Sequence, residues 1–359
     1  MDSEKRQKES RVKLLITGNE AIAESAIQAG CRFYAGYPIT PQNELTAYMA
    51  HHMQDRGGVF IQAEAETAAI NMVYGASAAG ARAMTSSSSP GISLKQEGIS
   101  YLAGAELPSV IVNIMRGGPG LGNIAPAQSD YFQATRSGGH GDYHCLVLAP
   151  STVQECYDLT ALAFELSDKY RVPAIILGDG MLGQMMEPIV VTKFRAPSLK
   201  QSNKPWALTG CKDRKANVVK SFYLKEGDLE KFNLKLQSKY QKIQREEERW
   251  EELFLNDVKI VLVAYGSMAR IAKGAVKALR EKGKKVGLIR PISLWPFPKK
   301  AFAKIRKQYL VIEMSYGQML EDVQLAVNGQ AGIEFLGRSG GGVPSEAEII
   351  AKVNKIYHG

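Results

Sequence analysis

From residue 12 to residue 190, short apolar runs alternate with segments of helical spacing, and few folds accept that rhythm: it is the pattern of a parallel sheet with helices on both faces. Residues 12–16, 32–36, 59–62, 84–89, 110–115, 145–149 and 172–177 read as strands, with helices over 20–29, 42–51, 67–81, 92–104 and 153–168 between them. The alanine-rich run 67–81 is a strong helix former, and Val59, Phe60 and Ile61 before it have the composition of a buried strand. In 20–29 the apolar Ile22, Ala23, Ala26 and Ile27 share one face, with Glu20, Glu24 and Gln28 opposite. Open sheets of this class bind ligands beyond the carboxyl ends of their strands, so the residues that follow each strand carry the functional reading.

Three such residues stand out. Glu66 sits where strand becomes helix; the macrodipole favours a carboxylate there, so a structural and a functional role both fit. Glu64 is its nearby competitor. Thr40 lies in Tyr37-Pro38-Ile39-Thr40-Pro41, which two prolines make rigid; it suits the N-cap of the next helix, with Pro41 in the first turn. Arg116 closes the buried run 110–115 and opens the glycine-rich segment 117–122, and a strand-capping ion pair is its simplest role. Gly120-x-Gly122-x-x-Ala125 has dinucleotide-fingerprint spacing, but Pro119 and Pro126 keep it from opening a helix. Those glycines instead allow a ligand or a neighbouring subunit to approach the backbone closely. Ser86 to Ser89 end their strand as a polar pocket wall, and Pro90-Gly91 turns the chain into the next helix. His140 and His144, with Asp142 between them, lack a helical context that would converge them on a metal.

Composition shifts near Pro188. Residues 193–216 read as a polar linker and 228–253 as one long charged helix, a solvated connector whose apolar stripe is Leu229, Phe232, Leu236, Tyr240, Ile243 and Trp250. A second α/β unit follows, with strands over 260–265, 285–289, 310–313 and 333–336, a helix over 269–282, and a glycine-rich surface loop at 337–343. The expected division is 1–190, 191–256 and 257–359. Four cysteines without a CxxC pair predict free thiols and no cluster or structural zinc held by this chain. The formal charge of +9 is spread without a basic patch interleaved with aromatics, which argues against nucleic acid. The charged N-terminus has no signal-peptide apolar core, and no apolar run is long enough to span a bilayer; a cytoplasmic protein off the membrane is expected.

Residues 17–190, through GNEAIAESAIQAGCRFYAGYPITPQNE, QAEAETAAINMVYGASAAGARAMTSSSSPGISLKQEG, IMRGGPGLGN and ILGDGMLGQMMEP, resemble the pyrimidine-binding domain of the alpha subunit of 2-oxoacid:ferredoxin oxidoreductases. Residues 258–345, with IRPISLWPFP and GRSGGGVP, are similar to the second domain of the same subunits. The resemblance implies an α/β chain: a thiamine-diphosphate-binding-fold parallel sheet domain of pyrimidine type, then a smaller α/β domain of transketolase C-terminal type. It is greatest to the branched-chain type acting on 3-methyl-2-oxobutanoate, with 2-oxoglutarate as the alternative substrate. A related thiamine enzyme class and a non-catalytic assembly subunit are the other readings.

By position in the motifs, Glu66 becomes the carboxylate that hydrogen-bonds the cofactor's aminopyrimidine and so assists loss of the thiazolium C2 proton. Arg116 and Thr40 become the groups that hold the 2-oxoacid carboxylate, and Pro38 joins Glu66 against the cofactor. Gly178-Asp179-Gly180 is present without the asparagine that completes a diphosphate and magnesium motif. The resemblance therefore implies thiamine diphosphate shared with a beta subunit, which carries the diphosphate site, Mg²⁺ and an iron-sulfur cluster. Gamma and ferredoxin-like subunits, ferredoxin and coenzyme A complete the expected reaction, an oxidative decarboxylation to acyl-CoA, and this chain alone is expected to be inactive.

Overall fold

The computed structural model describes residues 12–191, 204–304 and 308–358. The first part of the chain runs β1 (Val12–Thr17), α1 (Gly18–Gln28), β2 (Phe33–Gly36), α2 (Asn43–His52), β3 (Val59–Gln62), α3 (Glu66–Ala78), β4 (Ala83–Ser87), α4 (Ser89–Gly104) and β5 (Val110–Met115). It continues with α5 (Tyr131–Thr135), β6 (Leu146–Leu148), α6 (Val153–Tyr170), β7 (Ala174–Asp179), α7 (Gly180–Gln184) and β8 (Met186–Val191). Then come α8 (Asp228–Glu246), β9 (Trp250–Leu253), β10 (Ile260–Val263), α9 (Gly266–Glu281), β11 (Val286–Pro291) and β12 (Ser293–Trp295). The chain closes with β13 (Gln308–Glu313), α10 (Gln318–Val327), β14 (Ile333–Gly337) and α11 (Glu346–His358).

Among the described residues, the first sheet has the order β12-β6-β7-β5-β4-β2-β3, parallel except for β12. The second has the order β14-β13-β10-β11-β9, parallel except for β9. A separate antiparallel pair joins β1 to β8. The parallel α/β architecture expected from the alternation is present, and its centre is β5, whose six residues VIVNIM are all buried.

Local expectations fail where packing outweighs composition. Residues 59–62 form an edge strand rather than a buried one: β3 ends the first sheet and Val59 is 50% exposed. Glu24 faces inward, where it accepts hydrogen bonds from Gln28 Nε2 (2.7 Å) and Tyr48 Oη (3.0 Å). The N-cap of α2 is Gln42, not Thr40, and Pro41 precedes the helix across a cis Thr40–Pro41 bond. Pro90 and Gly91 lie inside the first turn of α4 instead of forming a turn before it.

The long charged segment is not a solvated connector. Its helix ends at Glu246, and Trp250 begins a strand of the second sheet. Leu236, Tyr240 and Ile243 are buried, each contributing roughly 1.5–3 kcal/mol. Tyr240 packs edge-on against His144 and Trp295, whose rings stack at 4.5 Å. His144 is thereby an aromatic packing residue of this junction. The linker expected over 193–216 lies partly outside the described residues.

Candidate active site

The carboxyl ends of β2, β4 and β5 lie side by side in the first sheet, and the starts of α3 and α4 meet beside them. Glu66 is the first residue of α3, behind an Ala65 N-cap that has no side-chain acceptor. It is 6% exposed, and among the described residues no hydrogen-bond donor reaches its carboxylate. A helix-capping carboxylate would be consumed by its own backbone; this one is held in reserve. The first turn of α4 packs against it. A side chain added at Gly91 would place its Cβ 2.5 Å from Glu66 Oε1 and against Ser87 Oγ, so the glycine keeps open the space that the carboxylate occupies.

Arg116 stands on the other side of the same helix start. Its backbone N–H donates to Ser89 Oγ (3.0 Å), and Asp130 holds Ser89 and Asn113 with bonds of 2.6 and 2.9 Å. Burial raises the Asp130 pKa above the usual carboxylate value, with the Ser89 and Asn113 bonds opposing. Arg116 is 7% exposed, and its guanidinium donates to the carbonyls of Thr40 (3.0 Å) and Leu121 (3.1 Å). Among the described residues it pairs with no carboxylate, and its Nε has no partner. Among the described residues the strand-capping ion pair is therefore absent, and the buried cation has no anionic partner.

Thr40 and Arg116, 76 positions apart, are thus brought together, through the threonine's carbonyl. Among the described residues the Thr40 hydroxyl accepts only from Asn43 Nδ2, at 3.3 Å. Pro38 lies exposed in the loop after β2. Glu64 is exposed, unlike Glu66.

Sequence reasoning missed Lys95 and undervalued the serines. Lys95 is 0% exposed and donates to the Glu66 carbonyl at 3.4 Å. Its signal was legible: Ile92, Lys95, Ile99 and Leu102 follow helical spacing, so a lysine interrupts a core stripe. Thr85, Ser87 and Ser88 are buried with partnerless hydroxyls, while Ser86 is bonded to Tyr34 and Gln42. Such buried hydroxyls without partners are uncommon in a folded chain.

The glycine-rich segment does not open a helix. Its backbone folds on itself through Gly117 N–H to Ala125 O and Asn123 N–H to Gly117 O, both 2.9 Å. Gly122, at φ 61°, lies so close to the Gly117 carbonyl that no side chain fits. Leu121 and Ile124 project outward at its tip, and Asn123 Nδ2 reaches Gly340 O (3.0 Å) in the second glycine loop.

Asp179 has a structural post. Its Oδ1 accepts from the N–H groups of Met181 and Leu182 and from Ser267 Oγ (2.9 Å), capping α7 and tying the two sheets' units together. Burial pushes its pKa up. Among the described residues no three His, Cys, Asp or Glu side chains converge as metal ligands.

Residues 24–250 match the family model described as pyruvate flavodoxin/ferredoxin oxidoreductase, thiamine diphosphate-binding, and residues 258–349 match pyruvate:ferredoxin oxidoreductase core domain II. The ketoisovalerate oxidoreductase subunit VorB of Methanothermobacter marburgensis is 49% identical over 95% of this chain and 97% of its own. The 2-oxoglutarate synthase subunit KorA of Methanothermobacter thermautotrophicus is 38% identical over 95% of this chain and 98% of its own. A solved 2-oxoglutarate:ferredoxin oxidoreductase from Magnetococcus marinus, with 2-oxoglutarate, coenzyme A and succinyl-CoA bound, superposes with a TM-score of 0.83 and 25% identity. That likeness covers 96% of this chain and 65% of the other.

Proposed function

The chain belongs to the thiamine-diphosphate 2-oxoacid:ferredoxin oxidoreductase family, and from that premise we propose that it supplies the pyrimidine-facing half of an active site completed by a beta subunit. The carrying observation is Glu66: among the described residues a buried carboxylate without a donor, beside a glycine that leaves it room, at the same helix start as an arginine that has no carboxylate partner. These features fit the cofactor's ring. Bound thiamine diphosphate supplies the carbanion chemistry that decarboxylation of a 2-oxoacid needs.

The chain's own residues do the rest. Glu66 would hydrogen-bond the ring and hold a proton there at its carboxylate, from a buried position. Arg116 and the Thr40 hydroxyl hold the substrate carboxylate, and Pro38 stiffens the wall beside them. The beta subunit holds the diphosphate, Mg²⁺ and an iron-sulfur cluster and covers the apolar Leu121 and Ile124 at the mouth of the site. Gamma and ferredoxin-like subunits complete the complex, which passes electrons to ferredoxin and the acyl group to coenzyme A. We place the assembly in the cytoplasm, where thiols such as Cys31, Cys145 and Cys156 stay free.

The substrate proposed is 3-methyl-2-oxobutanoate, after the relative at 49% identity; the more distant relatives named for 2-oxoglutarate favour that acid as the second reading. An apolar side-chain pocket discriminates against a second carboxylate, because an unpaired charge is costly to bury. The test is the reconstituted complex assayed with both acids, coenzyme A and ferredoxin. A kcat/KM for the branched acid about 10²-fold above that for 2-oxoglutarate is expected; the opposite order assigns the chain to the second reading.

A further inference from the structure

We infer that Lys95, with Gly91 one helical turn before it, forms the seat that fixes Glu66 in place, which makes Lys95 a positioning residue for the reaction. The inference rests on the role given to Glu66 above.

Both residues lie on the face of α4 that meets the start of α3. Gly91 fixes where the carboxylate goes, because any side chain there would collide with Oε1. Lys95 fixes the residue's backbone: its ammonium, without any exposure, donates to the Glu66 carbonyl at 3.4 Å. A methionine or leucine would fill the same volume without burying a charge. One long bond to a neutral carbonyl does not offset that burial, and among the described residues Lys95 has no carboxylate within ion-pair reach. The anion whose field it feels is Glu66 itself. The buried ammonium therefore anchors the helix start that carries Glu66.

Burial draws the Lys95 pKa down to about 8, with Glu66 pulling the other way. Its charge is accordingly lost just above neutrality. No other charged group competes closely for it. Besides Glu66, α3 offers only Tyr74 as a titratable side chain, and β4 and β5 offer none. On α4 the Glu97 carboxylate is exposed and bonded to Tyr101. The segment after β5 meets α4 through Asp130 on Ser89, Gln133 on Ser93, Gly138 and Gly139 beside Gln96, and the His140 carbonyl on Ser100, and of these only Asp130 is charged.

The experiment compares the reconstituted complex carrying Lys95→Met or Gly91→Ala with wild type. It follows kcat against pH and titrates thiamine diphosphate by quenching of intrinsic fluorescence. Wild type is expected to lose kcat as pH rises through about 8. Lys95→Met is expected to lower kcat about tenfold, flatten that alkaline limb and weaken cofactor binding about tenfold, with the KM for the 2-oxoacid unchanged. A Lys95→Met enzyme that is slower but keeps the wild-type pH profile has lost packing only, and that overturns the inference; so does unchanged cofactor affinity. Should Lys95→Met fail to assemble, Gly91→Ala decides, and wild-type cofactor affinity in that variant overturns the seat. The parent reading fails separately: Glu66→Gln with normal turnover removes the glutamate, whereas an inactive Glu66→Gln beside a normal Lys95→Met removes only the lysine.

Discussion

Two arginines are buried at the ends of parallel strands in this chain, and they are treated in opposite ways. Arg290, on β11, is 2% exposed and has its donors met by Glu155 (2.6 and 2.9 Å), Glu251 (2.7 Å) and Ser151 (3.0 Å). Arg116, after β5, meets two backbone carbonyls and leaves Nε without a partner. The first is a rivet: it joins α6 of the first unit to β9 and β11 of the second, and its charge is cancelled on the spot. The second, among the described residues, has two neutral carbonyls and no anion beside it. Burial alone therefore does not distinguish structure from function; completeness of partnering does. The same contrast separates Asp179, whose Oδ1 is filled by three donors, from Glu66, whose carboxylate has none among the described residues.

The comparison breaks if the partnerless groups prove dispensable. The largest effect is expected at Glu66→Gln, which should reduce acyl-CoA formation by the reconstituted complex by about 10³-fold while subunit assembly survives. Turnover near wild type would end the distinction between reserved and consumed carboxylates. Next come the arginines themselves. Arg116→Ala should raise the KM for the 2-oxoacid about 10²-fold, leave that for coenzyme A unchanged and barely move the melting temperature. Arg290→Ala should do the reverse, costing about 3 kcal/mol of stability with both KM values intact. Interchanged outcomes would refute the partnering argument.

Lys95 sharpens the contrast through stability. Held near pKa 8 instead of 10.5, its ammonium carries roughly 3 kcal/mol of unfavourable burial at neutral pH. The sign follows from proton counting. Between about 8 and 10.5 the unfolded chain binds more protons than the folded one, so this cost fades as pH rises. Lys95→Met should therefore melt higher than wild type at pH 7 and lose most of that advantage by pH 10; a lower melting temperature at pH 7 would show that the ammonium stabilises the fold. The smallest effect is expected at Thr40→Ala, about a fivefold rise in the KM for the 2-oxoacid, since one neutral hydroxyl bond is lost. An unchanged KM would withdraw Thr40 from the substrate.

Much of this was legible beforehand because it is written in near-neighbour periodicity. The apolar alternation placed Glu66, Thr40 and Arg116 at strand ends, and β5 is recovered at Val110–Met115 as read. The readings that failed depended on what packs against a segment. Composition made 59–62 look buried, but whether a strand lies in the centre or at the edge is decided by which strands flank it. Charge density made α8 look solvated, although a stripe of three residues sufficed to dock it on His144 and Trp295. Lys95 broke a core stripe visibly, yet nothing local says that the atom facing it belongs to Glu66, 29 positions earlier.

The sequence by itself determined the layer architecture and the strand ends on which the candidate residues sit, because a period of two or of 3.6 residues settles which side of an element meets the core. Only the tertiary structure decided which buried charges are answered. It set Arg116 against the Thr40 carbonyl, Lys95 beneath Glu66 and Arg290 between two carboxylates, and it carried β12 across to the edge of the first sheet. Such pairings span tens to more than a hundred residues, and their energy depends on ångström-scale register between elements, which no local pattern encodes.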